Sequence, residues 1–272
     1  NYFNAKFKLF SMLRNKDAAA VNIDDSYGER IYNSNKSYKS YSIIKDSDLK
    51  GKIEEYHNGG MKASVIFQGA EYSFDTKLVG DYNLYNLLGC IGVLLNLGFD
   101  IRDIIERVKR VGYVPGRFEL VNEGQDFRVI VDYAHTDNGL ENILETVRKI
   151  TEKRVITIFG AGGDRDNTKR PKMARAAAKY SDFVIITSDN PRTEDPAEIT
   201  RQVEKGLTDI DFPKDKYTVI VDREQAIRYG IEMSDANDSL LIAGKGHEDY
   251  QILGREKIHF DDREQARKYL KK

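Results

Sequence analysis

The strongest constraint on the fold is a regular alternation of short apolar runs and helical segments in the second half of the chain. The apolar runs span residues 128–133, 154–159, 183–187, 217–221 and 239–243. Runs rich in β-branched residues that alternate with helices are typical of a parallel sheet buried on both faces. The sequence therefore predicts an α/β protein whose second half is a doubly wound, mostly parallel sheet.

The first half has a different pattern. A helix is predicted over residues 2–13 and a short strand over 18–23, and the following segments predict short strands and two helices. Those segments are residues 41–44, 62–68, 70–76, 82–97 and 101–111. Val114-Pro115-Gly116 then interrupts the helical pattern. We therefore expect two domains, residues 1–114 and 115–272.

Composition excludes several functional classes. Lys and Arg total 43 against 44 Asp and Glu, so no bulk charge favours nucleic acid or an anionic membrane. Cys90 is the single cysteine, which fits a reducing compartment. No apolar run approaches the roughly 18 residues of a membrane span. We expect a cytoplasmic monomer that binds neither nucleic acid nor membranes. Because the chain opens with Asn1 inside a predicted helix, we also expect a fragment of something longer.

Four polar loops follow the predicted strands of the second half. They are residues 132–137, 160–170, 189–194 and 244–249. Ligands of open α/β sheets gather at the carboxyl ends of the strands. The guanidinium groups of Arg165, Arg170 and Arg192, interleaved with acids such as Asp189 and Glu194, suit a ligand with an amine and carboxylates. A single loop of this kind is more often a solvated turn, but four at one edge favour an amino-acid site.

Two glycine-rich strings do not match nucleotide-binding fingerprints. Gly160-Ala161-Gly162-Gly163 lacks the G-x-G-x-x-G spacing, and the string at 244–247 lacks the order of a P-loop. A dehydrogenase is therefore disfavoured. If the protein uses a nucleoside triphosphate, the main phosphate cradle lies outside these residues.

Several strings resemble the Mur ligase family, in order along the whole chain. They are Y-F-N-A-K-F-K-L-F at 2–10, N-L-Y-N at 83–86, G-R-F-E at 116–119, D-Y-A-H-T at 132–136, G-G-D-R-D-N-T-K-R at 162–170, D-N-P-R at 189–192 and G-K-G-H-E-D-Y-Q at 244–251. D-N-P-R resembles the members that add meso-diaminopimelate, whereas lysine-adding relatives carry a different residue after the proline.

The resemblance implies a fold and an activity. It implies a Rossmann-like amino-acid-binding ligase domain at 115–272, preceded by part of an ATP-binding domain that lacks its P-loop. The implied reaction is ATP-dependent amide formation in peptidoglycan precursor synthesis, in which meso-diaminopimelate joins a UDP-N-acetylmuramoyl-dipeptide through an acyl phosphate. ATP and Mg²⁺ are the implied cofactors. Without the triphosphate cradle, we expect this polypeptide alone to be inactive.

The resemblance also implies the residues that bind meso-diaminopimelate. This ligand differs from lysine by a second carboxylate, and the guanidinium of Arg192 can hold a carboxylate through two parallel hydrogen bonds, which an ammonium group cannot do. Glu248 supplies a negative partner for the ligand's ammonium group. The full implied set is Arg165, Asp189, Asn190, Pro191, Arg192, Gly244 and Glu248. The alternative for Arg192 is an exposed loop arginine.

Catalytic and nucleotide-binding residues follow from the same resemblance. Lys6 is implied to react with carbon dioxide, giving a carbamate that holds Mg²⁺, a cation that prefers oxygen ligands. Lys8 lies on another helical face and serves as a control. Asn83 and Asn86 are implied to lie beside the adenine, Arg117 at the phosphates and Asp132 at the ribose hydroxyls. Their alternatives are surface amides and a strand-end cap.

Two other functions remain open at this point. One is a related amide ligase of the folylpolyglutamate synthetase type, which shares the architecture but does not resemble the D-N-P-R and G-K-G-H-E-D-Y-Q strings. The other is a non-catalytic amino-acid-binding module on the same fold.

Overall fold

The chain divides into two compact units. The computed structural model describes residues 2–14, 19–57 and 59–271, and contacts between residues separate Asn1–Tyr113 from Val114–Lys272. The division falls one residue before the expected boundary. Asn1 lies outside the described residues. So does Ala18, the first residue of the first predicted strand.

The first unit is built on a mixed sheet with the strand order β1-β2-β3-β4-β5. β1, β2 and β3 run parallel, and β4 and β5 are antiparallel to their neighbours. The elements are α1 (Tyr2–Ser11), β1 (Ala20–Asn22), α2 (Ser26–Ser34), β2 (Lys39–Ser42), β3 (Leu49–His57), β4 (Gly60–Phe67), β5 (Ala70–Thr76), α3 (Asp81–Asn96) and α4 (Ile101–Val108).

The core of the first unit lies between α3 and one face of this sheet. Met61, Ala63 and Val65 alternate along β4, so their side chains share one face, where they pack in a cluster with Leu84 and Leu88 of α3. All five are fully buried. β3 was not predicted because its sequence, LKGKIEEYH, is polar and half exposed. It forms because β2 and β4 pair with its two edges.

The second unit is the predicted doubly wound sheet, with the order β10-β9-β8-β11-β7-β6. The strands are parallel except for β6, an antiparallel edge strand that was not predicted. The elements are β6 (Glu119–Val121), β7 (Arg128–Asp132), α5 (Asp137–Ile150), β8 (Val155–Ala161), α6 (Lys169–Tyr180), β9 (Phe183–Ser188), α7 (Pro196–Thr208), β10 (Tyr217–Val219), α8 (Arg223–Glu232), β11 (Ser239–Ala243), β12 (Tyr250–Leu253), β13 (Glu256–His259) and α9 (Asp262–Leu270).

Two helical layers cover this sheet. α5, α6 and α7 pack side by side, and α8 packs against α9. Every residue of β8 is buried, as are Ile185, Leu240 and Ile242 on its neighbours, which explains why these strands read as continuous apolar runs. β11 lies between β8 and β7 although it comes last of the three in sequence, and such a reversal of strand order opens a crevice at the carboxyl ends.

No helix within the described ranges has both the length and the apolar character needed to cross a bilayer.

Candidate functional site

The loops that follow β7, β8, β9 and β11 surround a pocket of about 310 Å³. Its lining is mostly polar: Tyr133, His135, Gly162, Arg165, Lys169, Asp189, Asn190, Arg192, Gly244, Glu248 and Tyr250. The structure therefore brings together all the residues predicted to bind the amino acid except Pro191, which is buried between its neighbours in the loop. The volume falls at the lower end of the range found for small-molecule sites.

The D-N-P-R loop is held in place by the hairpin of β12 and β13. The backbone N–H of Arg192 donates to the carbonyl of Ile252 at 3.1 Å, and Gly254 donates to the carbonyl of Arg192 at 2.8 Å. The N–H of Ile252 also donates to the side-chain oxygen of Asn190 at 3.0 Å. These bonds fix Arg192 at φ 52°, in the left-handed region that a non-glycine residue rarely occupies. Such strain persists only where the surroundings over-determine it.

Two guanidinium groups line one side of the pocket. Arg192 is half-buried, and its Nη1 donates to the carbonyl oxygens of Gly163 at 2.8 Å and Asn190 at 3.4 Å. Arg165 is exposed and, within the described part of the chain, makes no hydrogen bond or ion pair. Carbonyl oxygens carry no full charge, so neither guanidinium is neutralised. This side of the pocket can accept a carboxylate.

The pocket also carries acids, arranged around a buried lysine. The Nζ of Lys245 lies 3.2 Å from the Oδ1 of Asn190, and 3.5 Å from both the Oδ1 of Asp189 and the Oε2 of Glu248. The Nδ2 of Asn190 donates to the same Oε2 at 3.0 Å. Lys245 has no exposed surface. The sequence analysis did not single out Lys245 as a site residue. The one available signal was its position within the string G-K-G-H-E, and that string does not reveal burial.

The G-R-F-E turn packs directly on the 244–248 loop. A Cβ atom on Gly116 would lie 2.0 Å from the backbone nitrogen of His247, so a side chain cannot be accommodated there. The carboxylate of Asp132 accepts the N–H groups of Phe118 and Ala134, both at 2.8 Å. Burial raises the pKa of Asp132. Arg117 is exposed, and its guanidinium lies 4.9 Å from the ring centre of Tyr133.

Not all the charges at the strand ends face the pocket. Arg170 is fully buried and donates to both carboxylate oxygens of Glu194 at 2.9 Å and to Gln202 at 2.7 Å. The carboxylate of Asp164 accepts the hydroxyl of Thr193. These contacts join the β8–α6 loop to the β9–α7 loop. The expectation that Arg170 faces a ligand is therefore wrong, because both terminal nitrogens of its guanidinium bond to protein groups and the side chain does not line the pocket.

A second buried arginine, which sequence reasoning missed, supports the strand ends from the start of α8. Arg223 forms two hydrogen bonds of 2.7 Å with the carboxylate of Asp262. It also donates to the carbonyls of Ser188 at 3.3 Å and Ala243 at 3.0 Å, which immediately precede Asp189 and Gly244. Burial opposes the charge, but the Asp262 carboxylate raises the pKa of Arg223.

The first unit carries the other predicted residues. Lys6 is exposed on α1. Asn83 and Asn86 lie three apart on α3, but Asn83 is buried and donates to the carbonyl of Val79 at 2.8 Å, whereas Asn86 is exposed. Only Asn86 of this pair presents its side chain to solvent. Within the described ranges, no group of three or more His, Cys, Asp or Glu side chains is arranged to hold a metal ion.

Comparison with known proteins identifies the family. Residues 1–94 match the Mur ligase middle domain, and residues 116–246 match the Mur ligase glutamate ligase domain. A protein of Fusobacterium nucleatum named UDP-N-acetylmuramoyl-L-alanyl-D-glutamate--2,6-diaminopimelate ligase is 46% identical over 99% of this chain and 55% of its own length. A protein of Clostridium botulinum with the same name is 44% identical over the whole chain and 55% of its own length. This chain thus spans little more than half of these relatives.

Solved structures agree. A structure with the same name is 31% identical, with a TM-score of 0.69 over 99% of this chain and 56% of that one. The UDP-N-acetylmuramate-alanine ligase of Thermotoga maritima is 19% identical, with a TM-score of 0.68 over 99% of this chain and 54% of its own, and shows a shared fold. With both domain matches in order along it, the chain belongs to the Mur ligase family.

Proposed function

We propose that this chain forms part of an ATP-dependent ligase that adds meso-diaminopimelate to UDP-N-acetylmuramoyl-L-alanyl-D-glutamate during peptidoglycan precursor synthesis. The similar proteins that carry this name support the proposal. The observation that carries it in the structure is Arg192, whose strained backbone holds an unneutralised guanidinium at a pocket that also contains Asp189 and Glu248.

In this proposal the pocket binds one amino-acid end of meso-diaminopimelate. Arg192 and Arg165 pair with its carboxylate, and Glu248, Asn190 and Asp189 surround its ammonium group. Gly244 has φ 120°, a conformation that side-chain-bearing residues rarely adopt, and Pro191 keeps the D-N-P-R loop rigid. L-Lysine has an ammonium group but no carboxylate at this end, so it leaves the two guanidinium groups without a partner.

The role of the second unit is then to position a nucleophile. ATP supplies the phosphoryl group that turns the glutamyl carboxylate into an acyl phosphate. The amine at the free end of meso-diaminopimelate attacks the acyl carbon, the C–N bond forms, the amine loses a proton and phosphate leaves. Holding the opposite end of the ligand in the pocket converts this encounter into an oriented, effectively intramolecular step.

Nucleotide binding is proposed for Asn83, Asn86, Arg117 and Asp132. Asn86 and Arg117 are exposed and suited to direct contact. Asn83 and Asp132 are buried and bonded to nearby backbone, so they are better suited to shaping the contact surface.

Lys6, modified to a carbamate, is proposed to hold Mg²⁺, which would neutralise phosphate charge. The described residues do not form a magnesium site on their own, because no cluster of acidic or histidine ligands accompanies Lys6. The protein is further proposed to be a cytoplasmic monomer that binds these small molecules and neither nucleic acid nor membranes.

The test is calorimetric titration of meso-diaminopimelate and of L-lysine into the wild type and Arg192→Ala. We expect the wild type to prefer meso-diaminopimelate by about tenfold to a hundredfold, the value of one charge-assisted bidentate contact, and the variant to lose this preference. Arg201→Ala, an exposed arginine on α7, is the matched control and should retain it. Equal weak binding of both ligands by the wild type would refute the proposal, and stronger binding of glutamate would favour a ligase of the folylpolyglutamate type.

A further inference from the structure

Lys245 is an unusual residue to find directly behind the lining of a small-molecule pocket. Its side chain has no exposed surface, and lysine is almost never fully buried unless it is paired. The polar contacts of its ammonium group go to Asp189, Asn190 and Glu248, each of which lines the pocket. The ring of Tyr250, another lining residue, lies 5.4 Å from the Nζ. The ammonium group therefore contacts the pocket's side chains from behind.

These contacts fix the orientation of the Asn190 amide. Its Oδ1 receives hydrogen bonds from Lys245 at 3.2 Å and from the backbone of Ile252 at 3.0 Å. With both donors on the oxygen, the Nδ2 must face the Oε2 of Glu248, to which it donates at 3.0 Å. The orientation of Asn190 and the position of the Glu248 carboxylate thus depend on the same ammonium group.

Lys245 also balances charge. The side chains of Asp189 and Glu248 are only 10% and 17% exposed, and each has a carboxylate oxygen 3.5 Å from the Nζ. Two carboxylates this close repel each other, and an ammonium group within 3.5 Å of both attracts an oxygen of each and offsets that repulsion. Without it, neither carboxylate is held where it can face a ligand's ammonium group.

We propose that Lys245 is a positioning residue that holds the Glu248 carboxylate in place and the Asn190 amide in its orientation, so that the pocket selects ligands with an ammonium group beside the carboxylate. Lys245 does not touch the ligand, and its effect is transmitted through these two side chains. This inference rests on the proposed function, and it adds to the carboxylate selectivity of Arg192 a separate selectivity for the amine.

The experiment compares two ligands that differ only in their amines. The first is meso-diaminopimelate, and the second is pimelate, which retains both carboxylates but lacks the amine at each end, so that neither end can present an ammonium group to the pocket. Their affinities are measured by calorimetry for the wild type and Lys245→Met. We expect the wild type to prefer meso-diaminopimelate by about tenfold or more, and Lys245→Met to bind the two ligands within about twofold of each other.

The matched control is Lys257→Met. Lys257 lies on the exposed strand β13 with its Nζ 3.7 Å from the centre of the same Tyr250 ring, but it does not contact Asp189, Asn190 or Glu248. It should keep the wild-type preference. A melting curve establishes that each variant is folded. If Lys245→Met is unfolded, the charge-balanced Lys245→Met/Asp189→Asn variant, which loses one charge of each sign, takes its place and should also lose the preference relative to Asp189→Asn.

The outcomes separate this inference from the proposed function. If the wild type does not distinguish meso-diaminopimelate from L-lysine, the proposed function fails. If the wild type does so but Lys245→Met or the charge-balanced variant retains the amine preference, the role of Lys245 is refuted. An increased amine preference in these variants would also refute it, because Lys245 would then compete with the ligand's ammonium group for the carboxylates of the pocket. An equal loss of affinity for both ligands, with the preference kept, would indicate a purely structural lysine.

Discussion

The arginines at the strand ends of the second unit fall into two groups with different environments. The side chains of Arg170 and Arg223 have no exposed surface, and each forms two hydrogen bonds with one carboxylate. Arg165 and Arg192 line the pocket itself, where carbonyl oxygens or solvent are their surroundings. All four belong to loops or helix starts at one edge of one sheet.

This difference teaches that the partners of a charge, more than its place in the chain, decide its role. A buried guanidinium with a bidentate carboxylate partner has no capacity left for a ligand, and its removal leaves an uncompensated acid in the protein interior. A guanidinium that faces carbonyl oxygens keeps its charge available. The buried group should therefore affect stability, and the pocket group should affect ligand binding.

The largest effect is expected for Arg223→Met. Asp262 is fully buried, so the variant leaves a carboxylate without its counter-charge and also releases the carbonyls of Ser188 and Ala243. We expect the free energy of unfolding of the second unit to fall by about 3–5 kcal/mol in urea denaturation. Arg228→Met, on the same helix with an exposed partner, is the control and should unfold like the wild type. Equal losses of unfolding free energy in both variants would show that the burial of the ion pair does not decide its contribution to stability.

A smaller loss is expected for Arg170→Met. Its partner Glu194 is about one-third exposed, so the carboxylate can turn towards water when the guanidinium is gone. We expect a decrease of about 2 kcal/mol in the free energy of unfolding, measured in the same way. A decrease as large as that of Arg223→Met would show that the exposure of the partner does not govern the cost.

The rule that the partners of a charged group decide its role can also be tested on an acid in the first unit. Burial raises the pKa of Asp24, but hydrogen bonds from Ser42, Tyr85 and the backbone of Ile43 outweigh it and lower the pKa to about 2. Because the folded pKa is depressed, its contribution is present above the unfolded pKa near 4 and is lost as the pH falls from about 4 to 2. We expect Asp24→Asn to remove about 1–2 kcal/mol of this acid-dependent stability.

Unfolding free energies measured between pH 6 and pH 2.5 provide the check. The control is Asp46→Asn, an exposed residue of the β2–β3 loop, which should keep the acid dependence of the wild type. An unchanged pH profile in Asp24→Asn would contradict the assignment of the low pKa to this network.

The smallest effect on stability is expected at the pocket. Arg192→Ala removes one short hydrogen bond to the carbonyl of Gly163 from a half-buried side chain and keeps the same strained φ. We expect its free energy of unfolding to change by about 1 kcal/mol or less, while the preference for meso-diaminopimelate is lost. Arg165→Ala should likewise unfold as the wild type does. A large loss of stability in Arg192→Ala would place it with Arg170 and Arg223.

Much of the architecture was predictable because local patterns and burial agree. β5 and β11 begin and end at the predicted residues, since Gly69 marks the turn before β5 and the apolar run of β11 ends at Gly244. The strands missed were β3, which is polar, and β6, which has three residues at a sheet edge. In both cases pairing with a neighbouring strand stabilises a segment whose own sequence gives a weak signal.

The candidate site was predictable as a set of loops but not as a set of contacts. Because strand ends meet at one edge, the sequence located Arg165, Asp189, Arg192 and Glu248 at one pocket. The assignments of ligand, nucleotide and metal roles stay predictions. The burial of Lys245 was beyond sequence reasoning, since a lysine between two glycines is indistinguishable from a solvated loop lysine until the neighbouring loops are placed.

By itself, the sequence determined the doubly wound sheet, the edge at which polar loops gather and the family, because periodicity and short motifs are properties of neighbouring residues. The tertiary structure alone decided which charges remain available. Whether Arg170, Arg192 or Lys245 is neutralised depends on carboxylates and carbonyls brought from other loops, 56 residues away in the case of Lys245 and Asp189. Burial and pairing are long-range properties, and they set the chemistry of this pocket.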